Sequence, residues 1–172
     1  MRIEGRRGYT VLELLIVMAI LVTLLSLAGA AMAAYRERTR LSTTVEAVAS
    51  DIREARWKSR MSGEMCSVAF DTASQSYTVN GVRTSFLPAG IRFGSDPSVT
   101  SRPSQPYEAP PDDGISFDLG KKNVARFFPT GIVSPTGALF ITNGKKTYAI
   151  TVAITGRPKI WRSCGGRNWV AD

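Results

Sequence analysis

Histidine is absent from all 172 residues. That removes the Ser–His and Cys–His nucleophile pairs and every His-based zinc site. Cysteine occurs only as Cys66 and Cys164, too few for a disulfide scaffold and without metal-site spacing. Proline does not appear before Pro88, and the only glycine between Tyr9 and Ser62 is Gly29. Residues 14–34 carry no charge. From Tyr9 to Ser62 there is thus one glycine and no proline, and the first third is composed for one long helix. The remainder, with almost all the glycine and every proline, is composed for short strands and turns. A purely cytosolic enzyme does not fit this division.

The formal net charge is +8, a balance compatible with nucleic acid or anionic lipid and requiring neither. As a helix, residues 14–34 would extend roughly 31 Å, the thickness of a bilayer core. Three readings compete. A secretory signal peptide would use Arg2, Arg6 and Arg7 as its basic start and Ala31-Met32-Ala33 as its cleavage site. The others are a plain transmembrane anchor and an anchor with a specialised N-terminus. The apolar run exceeds the ~7–15 residues of a signal peptide. Glu13 sits at its start, where a carboxylate costs up to about 2.5–3.5 kcal/mol on insertion scales if placed centrally. An ordinary anchor has no use for that residue, which makes it a functional candidate. Arg36, Arg38 and Arg40 on the far side match Arg2, Arg6 and Arg7 in number, so positive charge leaves the orientation open.

The stretch Arg6-Arg7-Gly8-Tyr9-Thr10-Val11-Leu12-Glu13-Leu14-Leu15-Ile16-Val17 resembles the class III signal of type IV pilins and type II secretion pseudopilins. The resemblance implies cleavage after Gly8 on the cytoplasmic side by a prepilin peptidase, which also N-methylates the new terminus, Tyr9. Tyr9 stands where the family usually has Phe. Glu13 becomes the fifth mature residue, which in the family is thought to pair with the N-terminal amine of an adjacent subunit. A buried carboxylate needs such a partner.

Beyond residue 34 the helical pattern continues. Leu41, Val45, Val48, Ile52 and Ala55 form a seam at helical spacing, Glu54 and Lys58 an i,i+4 ion pair, and Ser62-Gly63 a stop. Strands are expected at 65–70, 76–80, 82–87, 91–93, 115–118, 124–128, 138–142 and 147–155. Asn80-Gly81 and Asn143-Gly144 read as hairpin turns. Residues 94–114, with five prolines, read as a long exposed loop. The expected fold is α+β and pilin-like: a long N-terminal helix, half transmembrane and half amphipathic, packed on an antiparallel sheet. Its divisions would be a cleaved leader 1–8, a membrane or filament-core helix 9–34, an amphipathic continuation 35–62 and a β head 63–172.

Cys66 on the first expected strand, and Gly156-Arg157-Pro158-Lys159-Ile160-Trp161-Arg162-Ser163-Cys164 near the end, are similar to features of the GspH/FimT group of minor pseudopilins and minor pilins. Pro158 within the last strand and the late Cys164 depart from that pattern. If the head is exported, Cys66 and Cys164 are expected to form a bridge; two unpaired thiols are the alternative.

No motif for catalysis, metal or cofactor emerges. Six residues rather than four separate Gly137 from Gly144, and Lys146 stands where a phosphate loop needs Ser or Thr. Asp112, Asp113 and Asp118 lack EF-hand spacing. The tail interleaves Lys145, Lys146, Arg157, Lys159, Arg162 and Arg167 with Trp161 and Trp169, the mixture of cations and stacking rings suited to nucleic acid. The expected function is structural: a minor pseudopilin of a type II secretion system, building a short periplasmic filament for protein export. Its partners would be other pseudopilins, the peptidase and an inner-membrane assembly platform. It would sit in the inner membrane by a single pass, N-terminus cytoplasmic and head periplasmic, before assembly. The alternative is a minor pilin of a type IV pilus that binds DNA through Arg157, Lys159, Arg162 and Arg167.

Overall fold

The computed structural model describes residues 10–103, 105–117 and 123–172, without the side chains of residues 27–31, 33, 34 and 38. One helix, α1 (Val11–Ser62), precedes ten strands: β1 (Cys66–Asp71), β2 (Ser76–Val79), β3 (Arg83–Phe86), β4 (Arg92–Phe93), β5 (Val124–Phe127), β6 (Val133–Ser134), β7 (Gly137–Thr142), β8 (Thr147–Val152), β9 (Pro158–Ser163) and β10 (Trp169–Ala171). The chain divides into two units, one ending at Arg40 and the other spanning Leu41–Asp172.

In the second unit the helical seam is buried as its spacing requires: Leu41, Val45, Val48, Ile52 and Ala55 all lie in the core. They share one apolar cluster with Val68 and Phe70 of β1, Ala125 and Phe127 of β5, and Leu139, Ile141, Ile150 and Ile160 of the later strands. Polar ties fix the helix to the strands. Ser59 Oγ donates to the Phe127 carbonyl at 2.8 Å. Tyr77 Oη donates to Asp51 Oδ2 at 2.6 Å, and Arg83 pairs with both Asp51 and Glu54. Burial and the Asp51 carboxylate together push the Tyr77 phenol up to about 12. The helix stops at Ser62, and Gly63 takes the left-handed conformation (φ 71°) that ends a helix without steric cost.

The strands form two antiparallel sheets, in the orders β3-β2-β1-β5-β6 and β10-β9-β8-β7-β4. Both expected hairpin turns are present. Asn80 and Gly81, with φ of 54° and 69°, join β2 to β3. Residues 143–146 join β7 to β8, with Asn143 Oδ1 accepting the Lys145 and Lys146 amides.

This architecture corrects the expected fold. The head is built on two sheets of five strands, not one, and the unit from Leu41 onward is mostly sheet. The physical cause lies in β7 and β8. Their residues are buried on both faces, so the sheet that contains them needs a cover on each side. The pilin-like half-membrane helix is corrected too. Among the described residues, no helix is long and apolar enough to cross a membrane. α1 carries the charged Glu13 in its first turn and charged residues again from Arg36 onward, and charge opposes burial in hydrocarbon. The expected single-pass inner-membrane location is overturned with it.

Smaller corrections follow the same logic. The segment 94–114 contributes no strand of either sheet and is exposed along much of its described length, but it is tied to the sheet at several points. Gly94 N–H donates to the Phe140 carbonyl, Phe140 N–H to the Gly114 carbonyl, and Val99 and Ser101 are buried. Gly114, at φ 73°, lies so close to the Gly94 backbone that a Cβ would collide with it. Residues 115–117 make only a bridge, Ile115 to Leu139, and Asp118 lies outside the described residues. Pro158 opens β9 instead of interrupting a strand, a place where its missing N–H is tolerated.

Candidate assembly interface

Thr10 sets the start of α1. Its Oγ1 accepts the Glu13 amide at 3.2 Å and its carbonyl accepts the Leu14 amide at 3.3 Å. Thr-x-x-Glu is the sequence of a capping box, in which the hydroxyl satisfies an amide that the helix itself leaves unbonded. Glu13 thus lies in the first helical turn, where the partial positive charge of the helix end stabilises a carboxylate by about 0.3–1 kcal/mol. Besides the amine pairing that the resemblance implies, Glu13 has this role at the helix start, and its sequence signal is Thr10, three residues earlier.

From Val11 to Leu25 the large apolar side chains are 47–76% exposed on every face of the helix. Glu13 is the only charged residue among them, and Thr23 and Ser26 turn their hydroxyls back onto the helix, donating to the carbonyls of Ile20 and Thr23. The surface is therefore apolar all round, with its polar groups bonded internally. A helix of this kind is stable in water only when covered. Gly8 and Tyr9, the expected cleavage and methylation positions, lie outside the described residues, as do Arg2, Arg6 and Arg7.

Cys66 and Cys164 are both free thiols, Cys66 buried in β1 and Cys164 exposed after β9. Cys66 opens β1 in one sheet and Cys164 follows β9 of the other, and no disulfide joins them.

The four basic residues considered for DNA are dispersed. Lys159 and Arg162 lie on opposite faces of β9 by strand alternation, opposite Thr151 and Tyr148 respectively. Lys159 Nζ stands 4.1 Å from the centroid of the Trp161 ring. Arg157 belongs with Arg56 and Arg60 of α1, two residues that sequence reasoning missed although they are four apart on the helix. Arg56 Nε donates to the carbonyls of Gly131 and Thr155. Burial, then Arg60 and Arg157, hold its guanidinium below its ordinary pKa. Arg167 is exposed between β9 and β10. The tryptophans are engaged internally. Trp161 Nε1 donates to Thr151 Oγ1 at 2.9 Å and Trp169 Nε1 to the Ser101 carbonyl at 3.1 Å, and both pack against Ala138, Phe140 and Ala149.

Comparison with family models, curated proteins and solved structures finds no match for the chain.

Proposed function

We propose that the chain is a structural subunit of a filament, a minor pseudopilin of the type II secretion kind. Cleavage after Gly8 yields a mature chain beginning at Tyr9. The apolar residues of α1 are then buried against the corresponding helices of neighbouring subunits, and Glu13 receives the amine of an adjacent Tyr9. The observation that carries this reading is the exposed apolar surface from Val11 to Leu25, directly following a capped helix start. The basic leader, Gly8, Tyr9 and Glu13 in register supply its sequence support. Partners under this reading are other pseudopilins, the peptidase that cleaves and methylates, and an assembly platform.

The alternative reading, DNA capture, draws on Arg157, Lys159, Arg162 and Arg167. Their dispersal and the internal hydrogen bonds of both indoles give it less support than a single basic face with free rings would. Intact mass spectrometry of the natively produced protein tests the assembly reading. The expected mass lacks residues 1–8 and carries one added methyl group. A mature chain beginning near residue 34 would replace this reading with that of a secretory signal peptide.

A further inference from the structure

A pocket of about 390 Å³ opens where three separate segments meet, and Lys145, Lys146, Arg162, Asp96, Ser98 and Cys164 are among its lining residues. Its walls are the β7–β8 turn, the start of the 94–114 segment and the turn after β9. Each wall is tied to another. Asp96 N–H donates to Thr147 Oγ1 at 2.9 Å, Gly166 N–H to the Ser98 carbonyl at 2.9 Å, and Thr100 N–H to the Gly166 carbonyl at 3.1 Å. The turn that presents Lys146 is held by Asn143 Oδ1, and Thr142 Oγ1 donates to the Lys146 carbonyl. The pocket is thus fixed before anything enters it, which lowers the ordering cost of binding.

Its charge is unbalanced. Lys146 and Arg162 line it with one carboxylate, Asp96, which accepts the Ser98 amide at 2.9 Å. Hydrogen bonds from Ser98 hold Asp96 below the usual carboxylate range, so it stays ionised, and Lys146 and Arg162 together outweigh it by one positive charge. Neither Lys146 nor Arg162 has an ion-pair partner among the described residues.

We infer that this pocket binds a small phosphate-class oxyanion, with Arg162 and Lys146 as its principal contacts. A guanidinium fork and an ammonium lining one pocket suit the several oxygens of a phosphate group. The volume is near the lower end for small-molecule sites, which fits a compact freely diffusing anion better than a polymer strand. This inference is independent of the assembly reading, which concerns α1.

Cys164 serves as a reporter because it lines the pocket, and Cys66 is buried. The experiment measures thiol exchange on the full chain in non-ionic detergent, with dithiobis(nitrobenzoate), a dianion, and with dithiodipyridine, which is neutral. Relative to a free cysteine, Cys164 should favour the dianion by about tenfold, the lower end of electrostatic focusing in a charged cleft. Inorganic phosphate should suppress that preference more than chloride at equal ionic strength. Lys146→Gln with Arg162→Gln should abolish both effects, whereas Lys159→Gln, on the other face of β9, should keep them. Reaction of Cys66 would reveal an unfolded variant, and the exposed single substitution Lys146→Gln then decides. A preference that survives that substitution, or phosphate acting no better than chloride, would overturn the inference. So would protection by a single-stranded oligonucleotide without protection by inorganic phosphate, which would assign the cations to a polymer.

Discussion

Two stretches of the same helix have opposite fates. Residues 11–26 are almost wholly apolar and exposed, whereas residues 41–62 are rich in charge and bury a seam so well that Ile52 and Ala55 are 0% exposed. Total hydrophobicity therefore does not decide what a helix buries within its own chain. Periodicity does. The later stretch separates Leu41, Val45, Val48, Ile52 and Ala55 from Arg53, Glu54 and Lys58, giving one face to the sheets and another to water. The earlier stretch has no such division, so packing one face on a sheet would leave the others uncovered. A surface of that kind is satisfied by surrounding it with similar helices.

The sharpest way to break this contrast is to make the same substitution in both stretches. Ile52→Ala should cost about 2–5 kcal/mol, the range for a buried isoleucine that leaves a cavity. Ile16→Ala should change the stability of the 41–172 unit by less than about 0.5 kcal/mol. Denaturant titration of the two variants, followed by tryptophan fluorescence, compares them directly. Equal losses would mean that residues 11–26 contribute to the fold of the head.

A second test concerns the polar tie between α1 and β2. Removing the Tyr77 hydroxyl by Tyr77→Phe should cost about 1 kcal/mol at neutral pH. The Tyr77 pKa is raised from 10.0 to about 12 in the folded chain. Its stabilising effect is therefore complete below pH 10 and declines as pH rises from 10 towards 12. The variant should lose that part of the alkaline decline. An unchanged slope of stability between pH 10 and 12 would show that burial and Asp51 together do not hold the phenol protonated.

The smallest effect belongs to the helix start. Thr10→Ala removes the cap and should cost about 0.5–1 kcal/mol locally, seen as faster amide exchange at residues 11–14. Exchange in the 41–62 stretch should not change. Faster exchange there would show that the two stretches fray together.

Much of the head was legible because its signals were local. The 41–55 seam, the stop at Ser62-Gly63 and the positive-φ turn at Asn80-Gly81 each follow from a few adjacent residues, and each is present. What escaped depended on distant partners. β6 is two residues long, and β10 is a short edge strand paired only with β9. The 94–114 segment looked like a loop because prolines exclude it from strands, yet it is anchored by amides and carbonyls that carry no sequence mark. The division into two sheets is fixed by β4 pairing with β7 across almost fifty residues, a choice invisible in either strand alone. The spatial grouping of the basic residues is hidden for a related reason. Arg157 lies close in sequence to Lys159 and Arg162, but it precedes β9, Lys159 and Arg162 take opposite faces of that strand, and the fold brings Arg157 to Arg56 and Arg60 instead.

The central claim is that the apolar surface of residues 11–26 is covered by the same surface of neighbouring subunits. Photo-crosslinking tests it most directly, with a photoreactive group in place of Met18, which is 61% exposed. The mature chain should crosslink to residues 11–26 of another subunit, as located by mass spectrometry. Leu15→Lys should abolish the product while leaving the stability of the head unchanged. Crosslinks only to the sheets of the head, or an undiminished product from Leu15→Lys, would contradict the account.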